Sequence, residues 1–181
     1  MIFRYPGCKA RLRKAIMSLA PARFTEYREP FVGGGAVFFG IRKDVRRWIN
    51  DMDPALMAVY LALRDRREPF IEACRAIKPL EEDESPERLQ AVFHLFVEDR
   101  DMDPALRYFF LSRTAWGGVP YRLHRTPFCA AAELWNIVES DRLDRAGEFL
   151  QRVTITVGDY IPLLKAPGEG VWVYADPPYY S

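Results

Sequence analysis

A chain of 181 residues with a net charge of +1, half apolar and a little over a quarter charged, can bury a core of one or two domains. It holds no apolar run long enough to cross a bilayer and no charged-then-apolar leader with a cleavage site, so a soluble, cytoplasmic protein without membrane contact is expected. Cys8, Cys74 and Cys129 are odd in number and lack CxxC spacing, and His94 and His124 stand in neither an HxE nor an HxxxH arrangement. Free buried thiols and no metal are therefore expected.

Charge is unevenly spread along the chain. Residues 1–47 hold eleven Lys or Arg against three acids, and 107–127 hold four Arg and no acid, whereas 81–103 hold nine acids against Arg88 and Arg100. Basic segments facing a polyanion with an acidic outer face would give this pattern, and so would solvated helix faces of mixed sign.

In chain order, a Pro6-Gly7 turn precedes a helix over 8–20 that Pro21 ends. Residues 26–32 read as a strand into Gly33-Gly34-Gly35, then an apolar helix from Ala36 to about Lys43, then a second strand at Arg47–Asn50. Asp53-Pro54 opens the next helix with Pro in its first turn. Strand, glycine turn, helix, strand is the opening of a doubly wound α/β sheet. From 54 to 151 the periodicity is helical, with helices near 54–66, 69–78, 86–98, 103–115 and 130–150, and 116–129 reads as a long functional loop. Alternation returns at Val153–Val157; a short helical piece follows, and Val171–Ala175 reads as a strand apolar on both faces, hence internal to a sheet. The α/β domain, 1–53 and 152–181, is thus split around a helical insert, 54–151. Asp-Met-Asp-Pro-Ala-Leu occurs at 51–56 and again at 101–106, which shared helix-start chemistry explains.

Candidate chemistry gathers at the carboxyl ends of the strands, where open α/β sheets bind ligands. Asp176 and the carbonyl of Pro177 could accept both N–H bonds of an exocyclic amino group such as adenine N6, freeing its lone pair. Pro177 and Pro178 stiffen that loop, and Tyr179 offers a face to an extruded base. Alone, the tetrapeptide reads equally as a rigid turn. Gly33 and Gly35 would let the backbone approach a ligand at the start of a helix, or simply make a turn. Asp51 is placed to hold ribose hydroxyls or to cap the helix that Pro54 begins; Asp159-Tyr160 could hold and cover an adenine or form a turn. A spatial strand order 3-2-1-4 would bring the glycine loop and Asp-Pro-Pro-Tyr to the switch point.

Taken together, Tyr5-Pro6-Gly7-Cys8-Lys9, Phe31-Val32-Gly33-Gly34-Gly35, Asn50-Asp51, Asp159-Tyr160 and Asp176–Tyr179 resemble, in order and over the whole chain, the Dam-type DNA adenine N6-methyltransferase family. The resemblance implies a Rossmann-like methyltransferase sheet with an inserted target-recognition domain, S-adenosylmethionine as cofactor and double-stranded DNA as substrate. It implies cofactor binding by Tyr5, Gly7, Lys9, Phe31, Gly33, Gly35, Asp51 and Asp159. Pro6-Gly7 could form a turn whose amides meet the methionine carboxylate, with Lys9 adding charge. Two residues depart from the family pattern: Cys8 replaces a Gly, which costs freedom if that backbone needs a positive φ, and Tyr160 stands where Phe is common.

The insert should select the DNA sequence. Arg113, Arg122, His124 and Arg125 would meet phosphate or guanine, and Trp116 and Tyr121 would stack or wedge. Against this, Arg107 and Arg113 could merely solvate a helix buried through Phe109, Phe110 and Leu111. Other readings are methylation of another amino or amide nitrogen, or a non-catalytic remnant that binds cofactor or DNA. Family members run on well beyond Asp-Pro-Pro-Tyr. A chain ending at Ser181 is therefore expected to leave Val171–Ala175 as an exposed edge and to need a longer product or a complementing carboxyl-terminal polypeptide for activity. A paired restriction endonuclease is a further partner on this reading.

Overall fold

A computed structural model of the chain describes residues 2, 4–42, 44–77, 86–118, 128 and 141–178. Four parallel strands form its centre: β1 (Glu26–Glu29), β2 (Arg46–Asp51), β3 (Val153–Val157) and β4 (Val171–Val173), in the order β3-β2-β1-β4. This is the 3-2-1-4 order expected of the doubly wound sheet. Registers such as Glu29↔Ile49 and Asp51↔Val157 align the carboxyl ends of neighbouring strands. Seven α-helices are described: α1 (Arg13–Ser18), α2 (Pro54–Asp65), α3 (Arg67–Ile77), α4 (Pro86–Glu98), α5 (Pro104–Thr114), α6 (Arg142–Leu150) and α7 (Ile161–Lys165). Among the described residues, no helix is long and apolar enough to cross a membrane.

Both copies of the repeated hexapeptide start helices by the same chemistry. Asp53 accepts the N–H of Ala55 and Asp103 that of Leu106, each at 2.9 Å and each followed by Pro in the first turn. α2 buries Leu56, Met57, Val59, Tyr60 and Leu63 in a hydrophobic cluster that also contains Tyr27 and Ile49 of the sheet, Phe70 of α3, Phe109 of α5 and Leu143 of α6.

β1 reads Glu-Tyr-Arg-Glu and is buried at all four positions. Pleating sends Arg28 away from Tyr27 and Glu29. Arg28 binds Glu26 Oε1 at 2.6 Å and donates to the carbonyls of Leu163, Ala166 and Pro167 at 2.6–3.0 Å, so a charged strand is buried with its polar groups satisfied.

Four expectations need revision. The helix expected over 36–43 is a single 3₁₀ turn, Phe38–Gly40, because Gly35 enters it at φ +66° and Ile41 leaves it extended to bury its side chain. The helix expected over 8–20 is shorter, a 3₁₀ turn at Lys9–Arg11 followed by α1, and exposes Leu12 and Leu19. β1 stops at Glu29, where Pro30 has no N–H to continue the ladder. β4 ends at Val173 rather than at Ala175; paired to β1, it is the edge anticipated for it among the described strands, with Val173 exposed.

Candidate active site

The loops leaving β1, β2, β3 and β4 and the amino-terminal turn enclose a cavity of about 570 Å³. Its lining includes Tyr5, Pro6, Gly7, Lys9, Phe31, Gly33, Asp51, Tyr160, Asp176, Pro177 and Pro178, so most of the expected cofactor and catalytic residues share one space. Gly35 and Asp159 are not among the lining residues. Asp159 is exposed, and its Oδ1 accepts the Ile161 N–H at 2.9 Å in the turn that leads into α7. Tyr179 lies outside the described residues.

The glycine loop is shaped by contacts that no side chain would permit. Gly33 takes φ +46°, and a Cβ there would come within 2.8 Å of the Tyr5 ring. At Gly35, φ is +66° and a Cβ would meet Tyr60 Oη at 2.6 Å. Tyr60 Oη donates to the Gly33 carbonyl at 2.9 Å, and the Gly33 N–H donates to Asp51 Oδ2 at 2.9 Å. Asp51 also accepts the Asp53 N–H at 3.2 Å, so it ties the glycine loop to the end of β2, while Asp53 does the helix capping. Burial raises the Asp51 carboxyl above its ordinary value against these hydrogen bonds.

Phe31, just after β1, and Tyr160, just after β3, bring their rings to 4.9 Å between centroids, tilted by 47°. The amino-terminal turn closes through a Cys8 N–H to Tyr5 carbonyl bond of 3.2 Å, with Pro6 and Gly7 at its centre and Gly7 at φ +73°. Cys8 itself has φ −53°, so replacing the family's Gly costs nothing here, and its Sγ accepts the Ala10 N–H at 3.3 Å. Lys9 Nζ lies 2.8 Å from Asp176 Oδ2.

Sequence reasoning overlooked Glu29, Tyr60 and the Lys9–Asp176 pair. Glu29 lines the cavity yet is buried; loss of solvation pushes its carboxyl up to about 8, despite hydrogen bonds from Tyr27 Oη and the Phe38 N–H. The available signal was a charged residue two positions from an aromatic one in a buried strand, at the strand's carboxyl end.

Of the expected DNA contacts, Trp116 is 65% exposed just after α5, and Arg113 is half-buried at the end of α5. Desolvation, followed by the charges of Arg4 and Arg142, pushes the Arg113 guanidinium down to about 10. Tyr121, Arg122, His124 and Arg125 lie outside the described residues. Arg107 donates to the carbonyls of Phe96 and Val97 at 2.7 and 2.8 Å and so closes the end of α4.

A parallel sheet in this order with a glycine loop, a carboxylate and an Asp-Pro-Pro segment around one cavity defines a doubly wound ligand-binding α/β protein. The chain belongs to the D12 class N6 adenine-specific DNA methyltransferase family, whose model matches residues 5–181. It is 26% identical to the type II methyltransferase M1.LlaDCHI of Lactococcus lactis subsp. cremoris, over 97% of this chain and 64% of the relative. It is 27% identical to the DNA N-6-adenine-methyltransferase of Escherichia phage P1, over 98% and 24%. With the type II methyltransferase M.MjaIII of Methanocaldococcus jannaschii it shares 26% identity, over 97% and 68%. The chain thus spans less than two thirds of the length of the first two of these relatives.

Proposed function

We propose that the protein transfers a methyl group from S-adenosylmethionine to N6 of an adenine turned out of double-stranded DNA. The observation that carries this reading is the one cavity of about 570 Å³ lined by both the Gly33–Asp51 cofactor elements and Asp176-Pro177-Pro178. The cofactor fits this donor set. Asp51 accepts backbone N–H groups on both oxygens and keeps lone-pair capacity for a ribose hydroxyl. Phe31 and Tyr160, packed ring against ring, can together cover one face of an adenine, and the Asp51 carboxyl group suits a cationic ligand. When bound, the cofactor supplies an electrophilic methyl group.

The chain's own residues prepare the nucleophile. Asp176 and the Pro177 carbonyl accept the two N6–H bonds, drawing the nitrogen towards tetrahedral geometry and releasing its lone pair from the ring. The fixed φ angles of Pro177 and Pro178 hold those acceptors, and Tyr179 stacks on the extruded base. The helical segment 54–151 selects the DNA sequence, with Arg113, Arg122 and Arg125 on phosphate or guanine and Trp116 and Tyr121 against bases; 1–53 and 152–181 carry the chemistry. The division is one of role, because α2 and α6 pack in the same hydrophobic cluster as the sheet. Two of the relatives are named type II methyltransferases, which favours a restriction endonuclease as functional partner.

The test is to incubate the full protein with methyl-labelled cofactor and mixed-sequence duplex DNA and to separate the nucleosides. Label in N6-methyladenine is expected. Label in N4-methylcytosine would reassign the acceptor, and cofactor binding without transfer would favour the non-catalytic reading.

A further inference from the structure

The residue that the family pattern gives to the cofactor has another partner in the fold. Lys9 follows directly on the Tyr5–Cys8 turn; its Nζ donates to the Gly7 carbonyl at 3.1 Å and lies 2.8 Å from Asp176 Oδ2, with both side chains 21% exposed. Among the described residues lining the cavity, Lys9 is the one cation beside Glu29, Asp51 and Asp176. An ammonium aimed at the cofactor would oppose the sulfonium charge. Paired with Asp176, it is neutralised.

The loop it grips needs such an anchor. Pro177 and Pro178 have no N–H, so that stretch of backbone cannot be tied down by donating hydrogen bonds of its own. A carboxylate has about four lone-pair positions on its two oxygens, so an ammonium at Oδ2 leaves Asp176 able to accept an N–H.

We propose that Lys9 is a positioning residue for Asp176: held by the Pro6-Gly7 turn, its ammonium fixes the carboxylate in the orientation that receives the target amino group. This rests on the adenine N6 reading for the role of Asp176. Acceptors fixed in advance stabilise a transition state without reorganising, and a displacement of about 1 Å can cost on the order of a hundredfold in rate.

The test compares Lys9→Met and Lys9→Arg in the full protein, with cofactor affinity read by calorimetry and methyl transfer by single turnover at saturating cofactor and DNA. Lys9→Met should slow transfer about tenfold or more while changing the cofactor Kd less than about threefold, and Lys9→Arg, which also pairs with a carboxylate, should recover most of the rate. In an Asp176→Ala background, where nothing remains to be positioned, Lys9→Met should change the residual rate less than about twofold. A cofactor Kd weakened about tenfold with an unchanged saturated rate would overturn the proposal and return Lys9 to the cofactor, and an equal fall in rate in both backgrounds would also overturn it. If the wild-type protein methylates no adenine, the functional reading fails separately. The contact is then judged by a urea-unfolding cycle of Lys9→Met and Asp176→Asn: non-additive midpoints are expected, and additive ones would overturn the pairing.

Discussion

Glu29 has its carboxyl raised from an ordinary 4.5 to about 8 because burial removes the water that would stabilise its charge; the hydrogen bonds from Tyr27 and Phe38 offset this only in part. A group whose folded value is raised contributes stability fully below its unfolded value and loses it as pH rises through the folded one. Stability should therefore fall between about pH 4.5 and 8, with the folding constant dropping about tenfold per pH unit through this group. In Glu29→Gln that dependence should vanish; urea midpoints that fall with pH as steeply as in the wild type would refute the assignment. Asp51 is the second test at this scale. Asp51→Ala should weaken S-adenosylmethionine binding by roughly 1.5–3 kcal/mol, the worth of a charge-assisted hydrogen bond, as measured by calorimetry. Unchanged affinity would leave Asp51 only its tie to Gly33. The sequence left Asp51 open between ribose and helix cap, since either Asp51 or Asp53 could cap a helix begun at Pro54. Only the backbone path shows that Asp53 does so. The burial of Glu29 was illegible for a different reason: a charged residue in a strand ordinarily faces water, and its burial depends on Tyr27, Phe38 and the loop that covers them.

Helices α2 to α5 were legible to within two residues at each end, because Asp caps and first-turn prolines mark where helices begin. The segment 36–43 was not, since its apolar residues pack in a turn whose course depends on Gly35 meeting Tyr60 and on Phe38 meeting Phe149, at 5.2 Å between ring centroids. Those contacts join residues far apart in the chain. β1 is the element whose energetics are most open to measurement. Removing Arg28 would strand the buried Glu26 with only the exposed Arg46, 3.2 Å away, and deprive three carbonyls of their donor. Arg28→Met should cost about 3 kcal/mol or more in unfolding free energy. A loss under about 1 kcal/mol would mean that water replaces the guanidinium and that the strand's charged residues are not a buried network.

At the scale of the molecule, the order β3-β2-β1-β4 was legible because the glycine loop, the acidic β2 end and Asp-Pro-Pro-Tyr had to meet at one switch point. How the helical segment is attached was not, because periodicity shows that a helix has an apolar face but not which surface covers it. The hydrophobic cluster joins Tyr27 and Ile49 of the sheet to Phe70, Phe109 and Leu143 of the helices. Unfolding by denaturant should thus be one transition, with far-ultraviolet dichroism and tryptophan fluorescence coincident; two separated transitions would show that the helical segment has a core of its own. In the proposed function one cavity holds the methyl donor on its Asp51 elements and prepares adenine N6 on Asp176. The most direct test of this is the single-turnover rate of methyl transfer to adenine in the Asp176→Ala protein with cofactor saturating. A fall of on the order of a hundredfold or more is expected for the loss of a preorganised acceptor, and near-normal transfer would contradict it.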